Sequence, residues 1–146
     1  MLMKWFLLLS ICTLFCLSPS LLVAQSSLVV KVQGLKQASG VVRVALYNKA
    51  KNFLKFEGLA ANGFAKASAG ETQVIFQNLP HGDYAIALYH DKNDNKVMDK
   101  NWWGIPVEPL GFSNAKLRSF GPPKFEDCVF SFKTYTEISI LLENNK

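Results

Sequence analysis

The sequence predicts an all-β domain, and three observations lead to that prediction. Apolar side chains recur at every second position in six segments, at 28–33, 42–47, 72–77, 84–89, 128–133 and 137–142. These segments are rich in β-branched and aromatic residues, which favour strands with one buried face. Turn-forming residues separate the segments, and no internal repeat or heptad is present. We therefore expect a two-layer sandwich of about seven antiparallel strands.

The connections between the segments are mostly short. The turn at 78–82 is tight enough for a β-hairpin between the third and fourth segments. The stretch 62–70 contains small residues and is expected to be a flexible link. By contrast, 91–124 alternates little, yet is rich in Trp, Phe, Gly and Pro. Structureless loops longer than about 15 residues are uncommon and are usually functional or packed on their own.

The first 24 residues have the order of a secretory signal peptide. Lys4 gives a positively charged start, an apolar run follows at 5–17, and Ala24 precedes a polar stretch. The prediction is a signal peptide at 1–24 and one exported domain at 25–146, periplasmic or extracellular, with no membrane span after cleavage.

Two other interpretations of this segment stay open. An uncleaved anchor needs about 20 apolar residues, and a Ser-Pro-Ser at 18–20 interrupts the run. A lipoprotein would carry its lipid on Cys16, but the bulky Phe15 stands where the processing enzyme prefers a small residue.

Charge and cysteine content limit the possible functions of the mature chain. Once Lys4 is removed, 15 basic residues stand against 11 acidic ones, so the net charge is +4. The basic residues are scattered, which argues against a nucleic-acid partner, as does export. Cys128 is the only cysteine in 25–146, so an internal disulfide is excluded. It shares an alternating face with Phe130 and Phe132, and we expect it to be buried and inert.

The segment YHDKNDNKVMDKNWWGIP, at 89–106, follows the fourth predicted strand. Its oxygen-bearing side chains occupy positions 1, 3, 5 and 9 of a calcium-binding loop: Asp91, Asn93, Asn95 and Asp99. Odd spacing lets a curled backbone turn alternate side chains toward one point, where a hard cation needs several oxygen ligands. Val97, at position 7, would contribute its backbone carbonyl. The pattern predicts a weak calcium site that organises the long connection.

Two positions depart from that pattern. Lys96 stands where glycine normally makes the sharp turn, and a left-handed lysine costs on the order of 1 kcal/mol. Trp102 stands where a bidentate glutamate is expected, so Glu108 is the candidate for that ligand. The alternative is a solvated polar turn, because Asp and Asn favour turns by bonding their own backbone.

Three further residues of this region are candidates for ligand contact: His90, Trp102 and Trp103. A catalytic histidine would pair with Asp91, Asp99 or Glu108; the favoured alternative is a half-buried His90 bonded to a loop carbonyl. An exposed indole could stack on a sugar or contact a partner, but aromatic-rich loops usually pack their rings, and we expect both indoles to be packed.

Several motifs of this region resemble a known family. The stretches GDYAIALYHDKNDN, MDKNWWGIPVEPLGFSN and FGPPKFEDCVFSF are similar to a bacterial exported family, domain of unknown function 2141. The resemblance extends over about 28–142 and implies an immunoglobulin-like or transthyretin-like β-sandwich without a known activity. Its members usually carry glycine in place of Lys96. Its motifs map onto His90, Asp91, Asn93, Asn95, Asp99, Gly104, Pro106, Glu108, Gly111, Phe112, Ser113, Asn114, Phe120, Gly121, Pro122, Pro123 and Phe125.

Three functions compete at this point. The first is a non-enzymatic exported domain with calcium in the loop at 91–99 and an unknown protein or glycan as partner. The second is a carbohydrate- or protein-binding module that uses Trp102 or Trp103. The third is a small hydrolase centred on His90, although the chain contains no G-x-S-x-G elbow, H-E-x-x-H pair or phosphate loop. No catalytic residue is assigned.

Overall fold

The computed structural model describes residues 26–118 and 121–144. Within them, one short helix, α1 (Phe125–Cys128), and two 3₁₀ turns, Ala50–Asn52 and Phe56–Gly58, accompany the strands. None of the described helices is long and apolar enough to cross a membrane. The predicted signal peptide, 1–24, lies outside the described residues. The strands are β1 (Ser27–Leu35), β2 (Val41–Tyr47), β3 (Ala61–Lys66), β4 (Gly70–Gln77), β5 (Gly82–Asp91), β6 (Leu110–Phe112), β7 (Phe130–Phe132) and β8 (Tyr135–Leu141).

The strands form two sheets. One sheet has the order β4-β1-β8, and the other has the order β3-β2-β5-β6, with β7 paired to the first residues of β5. The pair β1–β8 is parallel, with Ser27 opposite Tyr135. The prediction of purely antiparallel strands is therefore wrong for this pair. Parallel neighbours need a long crossover between them, and here the rest of the domain provides it.

The two sheets enclose one shared core. The inward residues of β1, Leu28, Val30 and Val32, are fully buried and pack in the same cluster as Val44 and Ile86 of the opposite sheet. The period-two pattern thus identified the inward faces of β1, β2, β4, β5 and β8 correctly. Burial of this apolar surface, which contributes about 25 cal/mol per Å², is what holds the two sheets together.

The predicted hairpin at 78–82 is wrong. The short connection leads from β4, which pairs with β1, to β5, which pairs with β2, so it crosses from one sheet to the other. Asn78 adopts a positive φ of 58° in this crossing. Turn length alone does not determine whether two consecutive strands enter the same sheet.

Two strands were not predicted, because their inward positions are small. β3 turns Ala61, Gly63 and Ala65 toward the core; a Cβ on Gly63 would come within 2.9 Å of side-chain atoms of Val74 and Phe76. In β6, a Cβ on Gly111 would come within 2.7 Å of Ile140. Close approach of neighbouring chains therefore requires these residues, and hydrophobic alternation does not reveal them.

A second, smaller cluster fixes the edge where β6 meets β5. Cys128 ends α1 rather than beginning a strand, and it is fully buried in this cluster with Ala85, Leu110 and Phe112. The predicted strand at 128–133 is thus reduced to β7. Burial raises the pKa of the Cys128 thiol to about 11, in agreement with an inert residue.

Candidate functional site

The long connection at 92–109 joins two neighbouring strands of one sheet, β5 and β6. It leaves the end of β5 and returns through β6, which pairs with β5. At the base, the His90 backbone N–H donates to the Pro109 carbonyl over 2.9 Å. We call residues 91–99 the acidic loop and residues 100–107 the tip. Both lie at the same end of the sandwich, on a base fixed by the β5–β6 pairing.

Asp91 anchors the acidic loop. Its carboxylate is fully buried; Oδ1 accepts the backbone N–H of Asn95 and Oδ2 accepts that of Lys96. Arg43 Nε also donates to Oδ2 over 2.6 Å. Although burial by itself raises the pKa of Asp91, the hydrogen bonds from Arg43, Lys96 and Asn95 outweigh it and lower that pKa.

Arg43 is the residue of this site that the sequence did not reveal. It projects from β2 and connects the strand to the loop, since its second nitrogen donates to Asp94 Oδ1 over 2.6 Å. Its guanidinium also lies 5.9 Å from the centre of the Phe64 ring. A single arginine on a strand carries no sequence signal of a partner that lies 48 residues further along.

Two asparagine side chains of the acidic loop point toward Asp99, whereas Asp91 bonds Arg43 and the loop backbone. The side-chain amide groups of Asn93 and Asn95 donate to the two carboxylate oxygens of Asp99, each over 2.8 Å. The side-chain oxygen of Asn95 accepts the Val97 backbone N–H over 2.9 Å. The side-chain oxygen of each asparagine therefore accepts the backbone N–H two residues further along, as in an Asx turn, and its side-chain nitrogen donates to Asp99.

Lys96 makes the sharp turn in place of glycine. Its φ is +69°, and Asp94 is also left-handed with a φ of +54°. The turn forms in spite of the strain that a side chain brings to this backbone region, and the backbone N–H of Lys96 is held by Asp91.

Glu108 closes the acidic loop from the returning segment. It is almost fully buried; one carboxylate oxygen accepts the backbone N–H of Lys92 over 2.9 Å, and the other accepts that of Asp99 over 3.1 Å. These contacts join the two ends of the acidic loop. Glu108 thus lies beside the loop, and its observed contacts are to backbone N–H groups.

Calcium at this loop stays a prediction. Within 26–118 and 121–144, no three His, Cys, Asp or Glu side chains form a group that could hold a metal ion. The predicted ligand set relies on two asparagine amides and the Val97 carbonyl besides Asp91, Asp99 and Glu108. Both asparagine oxygens accept backbone N–H groups and both amide nitrogens face Asp99, so a cation at Asp99 would require rotation of the two amides. Arg43 already bonds one oxygen of Asp91.

The tip is a closed turn. Lys100 and Pro106 form an isolated antiparallel bridge. Inside it, the side-chain oxygen of Asn101 accepts the backbone N–H groups of Trp103 and Ile105, each over 3.0 Å. The backbone of Asn101 also bonds Ile105 and Gly104. One asparagine therefore organises the whole turn.

The expectation that both indoles are packed under the connection is wrong. Trp102 is 82% exposed and Trp103 is 67% exposed. Their ring centres lie 3.7 Å apart with the planes inclined by 35°, so the indoles stack on each other above the turn. Val97 of the acidic loop and Ile105 and Val107 of the tip are also exposed.

His90 is buried and is not paired with a carboxylate. Its Nε2 bonds the Ser39 backbone carbonyl over 2.7 Å. The carboxylates of Asp91, Asp99 and Glu108 bond the partners given above instead. The structure therefore brings these residues into one region without the His–carboxylate contact that the hydrolase interpretation requires.

Ser113 and Asn114, which follow β6, have structural contacts. The Ser113 hydroxyl donates to the Cys128 carbonyl over 2.5 Å and accepts the Ile86 backbone N–H over 2.9 Å. The Asn114 amide donates to the Val129 carbonyl over 2.8 Å. These bonds attach the segment around α1 to β5, so this part of the motif pattern stabilises the base of the site.

A family model described as "Uncharacterized protein conserved in bacteria (DUF2141)" matches residues 30–139. The chain belongs to this family. The match confirms the resemblance found in the sequence, and it includes both the acidic loop and the tip of this DUF2141 domain. No curated protein and no solved structure shows a match to the chain.

Proposed function

We propose that this DUF2141 domain is an exported, non-enzymatic binding module that contacts a protein partner through its tip. The exposed, mutually stacked pair Trp102 and Trp103 carries the proposal. Exposed apolar clusters on soluble domains mark interaction sites, and tryptophan is enriched among the residues that dominate binding energy. In this proposal the two sheets form an immunoglobulin-like or transthyretin-like scaffold, located in the periplasm or outside the cell.

The rigidity of the tip supports this role. Asn101 holds the turn by side-chain and backbone bonds, and Glu108 and Asp91 hold the loop beneath it. A binding surface that is already ordered loses less conformational entropy on association. The conformation in which both indoles project therefore exists before any partner arrives.

The surroundings of the indoles favour a protein over a glycan. Each indole has one face covered by the other, which leaves only the outer faces for stacking on a sugar ring. Exposed aliphatic side chains of the acidic loop and tip, Val97, Ile105 and Val107, extend the apolar surface, next to the exposed polar Lys100 and Asn101. Aromatic and aliphatic residues with few charges are typical of the centre of a protein interface.

Site-specific photo-crosslinking in the cell envelope tests this proposal. A photoreactive amino acid replaces Val107 at the tip or, as a matched control, Ile75, which is exposed on β4. The expected result is a discrete cross-linked protein from position 107 that is absent from position 75 and is lost when Trp102→Ala and Trp103→Ala are added. Equal labelling from both positions, or labelling that ignores the tryptophan changes, overturns the proposal.

Titration with a panel of soluble glycans tests the alternative that the tip binds carbohydrate. Trp102 and Trp103 are the only tryptophans in 25–146, so intrinsic fluorescence of the mature domain reports on the tip alone. A saturable fluorescence change with a soluble glycan, together with absence of a cross-linked protein, would assign the tip to carbohydrate instead.

A weak calcium site in the acidic loop is a second proposal. The convergence of Asn93 and Asn95 on Asp99 supports it, because rotated amides would present oxygens to one point. In this proposal the ion adds to the hydrogen bonds that shape the loop and so stabilises the base of the tip. Calcium dependence of stability, described in the Discussion, is the test.

A further inference from the structure

A cleft of about 110 Å³ lies at the base of the long connection, on the side where β1, β5 and β8 end. It is separate from the indole pair, since neither tryptophan lines it. Its polar lining comes from the turn after β1, the end of β5 and the segment after β8: Lys36, Gln37, His90, Lys92 and Asn144.

His90 is the fixed element of this cleft. The side chain is only 2% exposed, and its Nε2 bonds the Ser39 carbonyl. A carbonyl oxygen only accepts, so Nε2 carries the proton and Nδ1 of the neutral ring is a hydrogen-bond acceptor. Nδ1 has no protein partner within the described residues, and none of their fully buried side-chain nitrogen or oxygen atoms is unsatisfied. His90 lines the cleft, and Nδ1 is its ring nitrogen without a protein partner among the described residues.

The charge of the lining is positive. Lys36 and Lys92 both line the cleft and are exposed, and no carboxylate is among its described lining residues. Three carboxylates are next to lining residues in the sequence, and each is bonded to a group outside the cleft lining or to backbone. Asp91 pairs with Arg43, Glu108 accepts the backbone N–H groups of Lys92 and Asp99, and Glu143 accepts the backbone N–H of Leu117. The cleft thus combines two ammonium groups with one buried, oriented acceptor.

From this arrangement we propose that the cleft binds a small anion that carries a hydroxyl group. The acid group, a carboxylate or a phosphate, pairs with Lys36 and Lys92, and the hydroxyl donates to Nδ1 of His90. Two cations and one acceptor select against an anion that lacks a donor, because Nδ1 would then lose its water without gaining a partner. The volume is below the roughly 300 Å³ at which sites for drug-sized ligands begin, which fits a ligand of few atoms.

In each of the two ligand pairs that test this site, one anion carries a hydroxyl group and the other does not. Glycolate and acetate differ by the hydroxyl on a carboxylate; hydrogen phosphate and sulfate differ by the O–H on a tetrahedral anion. Titration of the mature domain is followed by NMR at constant pH and ionic strength, reading the His90 ring nitrogens and the amide groups of Gly34 and Lys92. One hydroxylated member is expected to bind about twofold to tenfold more tightly than its partner, the range of one neutral hydrogen bond. The pair that responds identifies the acid as carboxylate or phosphate.

Variants with equal charge changes complete the experiment. Lys36→Gln with Lys92→Gln removes the two cations of the cleft while the backbone N–H of residue 92 still bonds Glu108. Lys51→Gln with Lys66→Gln removes two exposed charges elsewhere on the surface. The first pair is expected to weaken binding at least about fivefold and the second less than twofold. Both variants keep the fold, because all four side chains are exposed.

Two results overturn the proposal. One is equal binding within both ligand pairs; the other is equal weakening by the two lysine variants, which would indicate attraction to net charge alone. The Trp102→Ala, Trp103→Ala variant is expected to bind the small anion as the wild type does. Failure of the tip as a protein-binding surface therefore leaves this result unaffected, and failure of the cleft leaves the cross-linking result unaffected.

Discussion

Arg43 Nε lies 2.6 Å from Oδ2 of Asp91, whose carboxylate is fully buried where β5 enters the long connection. The same arginine reaches Asp94 with its second nitrogen. A charge on a sheet strand thereby holds a turn that contains two left-handed, non-glycine residues. The ion pair and the backbone bonds to Asp91 together keep the acidic loop in one conformation.

Loss of the Arg43 partner is expected to destabilise the whole domain. Arg43→Met removes the cation and leaves the Asp91 carboxylate buried without charge compensation, which costs about 3 kcal/mol. The free energy of unfolding, measured by urea denaturation, checks this value. Arg118→Met is the matched control: Arg118 is the only other arginine in the chain and is exposed, so its change stays within about 0.5 kcal/mol. Equal stability of the two variants would contradict the role given to Arg43.

Acid is expected to destabilise the domain through Asp91. Burial alone raises the pKa of this carboxyl, but the bonds from Arg43 and the loop backbone lower it below the unfolded value of about 3.9. A carboxyl with a lowered folded-state pKa stabilises the fold above the unfolded pKa, and this contribution disappears as pH falls through the folded-state pKa. The free energy of unfolding should therefore decline below about pH 4.

Asp91→Asn tests that assignment, because an amide does not titrate. The variant is less stable at neutral pH, and its stability falls less steeply between about pH 4 and pH 2 than that of the wild type. Asp83→Asn, at an exposed position, should retain the wild-type slope. A wild-type slope in Asp91→Asn would assign the acid sensitivity to other carboxyls.

The indole pair is expected to contribute little to stability. Trp102→Ala changes the free energy of unfolding by less than about 0.5 kcal/mol, because the ring is 82% exposed. The same change removes the far-ultraviolet circular dichroism couplet that two indoles 3.7 Å apart should give. Phe132→Ala, in the core, provides the contrast, with a loss of about 3–5 kcal/mol. A loss of more than about 1 kcal/mol on Trp102→Ala would show that the indole packs against the fold.

The inward faces of five strands could be predicted because large apolar residues mark them. Val30, Val44 and Ile86 are buried where the alternation places them. β3 and β6 could not be predicted in this way, since Gly63 and Gly111 occupy inward positions where any side chain would meet a neighbour. Hydrophobic periodicity measures burial by large side chains and misses burial by close backbone approach.

The acidic loop was predictable and the contacts around it were not. The spacing of Asn93, Asn95 and Asp99 is local, so the sequence indicates their convergence directly. Arg43 and Glu108 reach the loop from other parts of the fold, and only the pairing of β2, β5 and β6 determines those distances. The exposure of Trp102 is likewise a consequence of turn geometry rather than of residue type.

Gly111→Ala is expected to destabilise the domain by about 1–3 kcal/mol through overpacking. The new Cβ would lie 2.7 Å from Ile140 Cγ2 and 3.0 Å from the Leu141 carbonyl oxygen. A backbone oxygen cannot move aside without disturbing β8. Gly63→Ala meets only the side chains of Phe76 and Val74, at 2.9 Å, so a smaller loss is expected there. Thermal denaturation of both variants checks the order, and a larger loss at Gly63 would contradict it.

Calcium is expected to stabilise the domain modestly through the acidic loop. For a dissociation constant of about 1 mM, typical of weak extracellular sites, calcium at about 10 mM adds roughly 1.4 kcal/mol to the free energy of unfolding. Magnesium at the same concentration should add less, because it prefers to retain its water and to bind in stricter geometry. Thermal denaturation with each ion and with chelator measures the difference.

Asp99→Asn is the variant that assigns the calcium effect to the loop. It removes the carboxylate on which Asn93 and Asn95 converge, and the stabilisation by calcium should disappear while the stability in chelator changes little, since Asp99 bonds exposed amides. Asp83→Asn removes an equal charge from an exposed site outside the loop and should preserve the calcium effect. If wild type and Asp99→Asn respond alike, or if calcium acts no more strongly than magnesium, the loop forms through its own hydrogen bonds and the ion has no part in it.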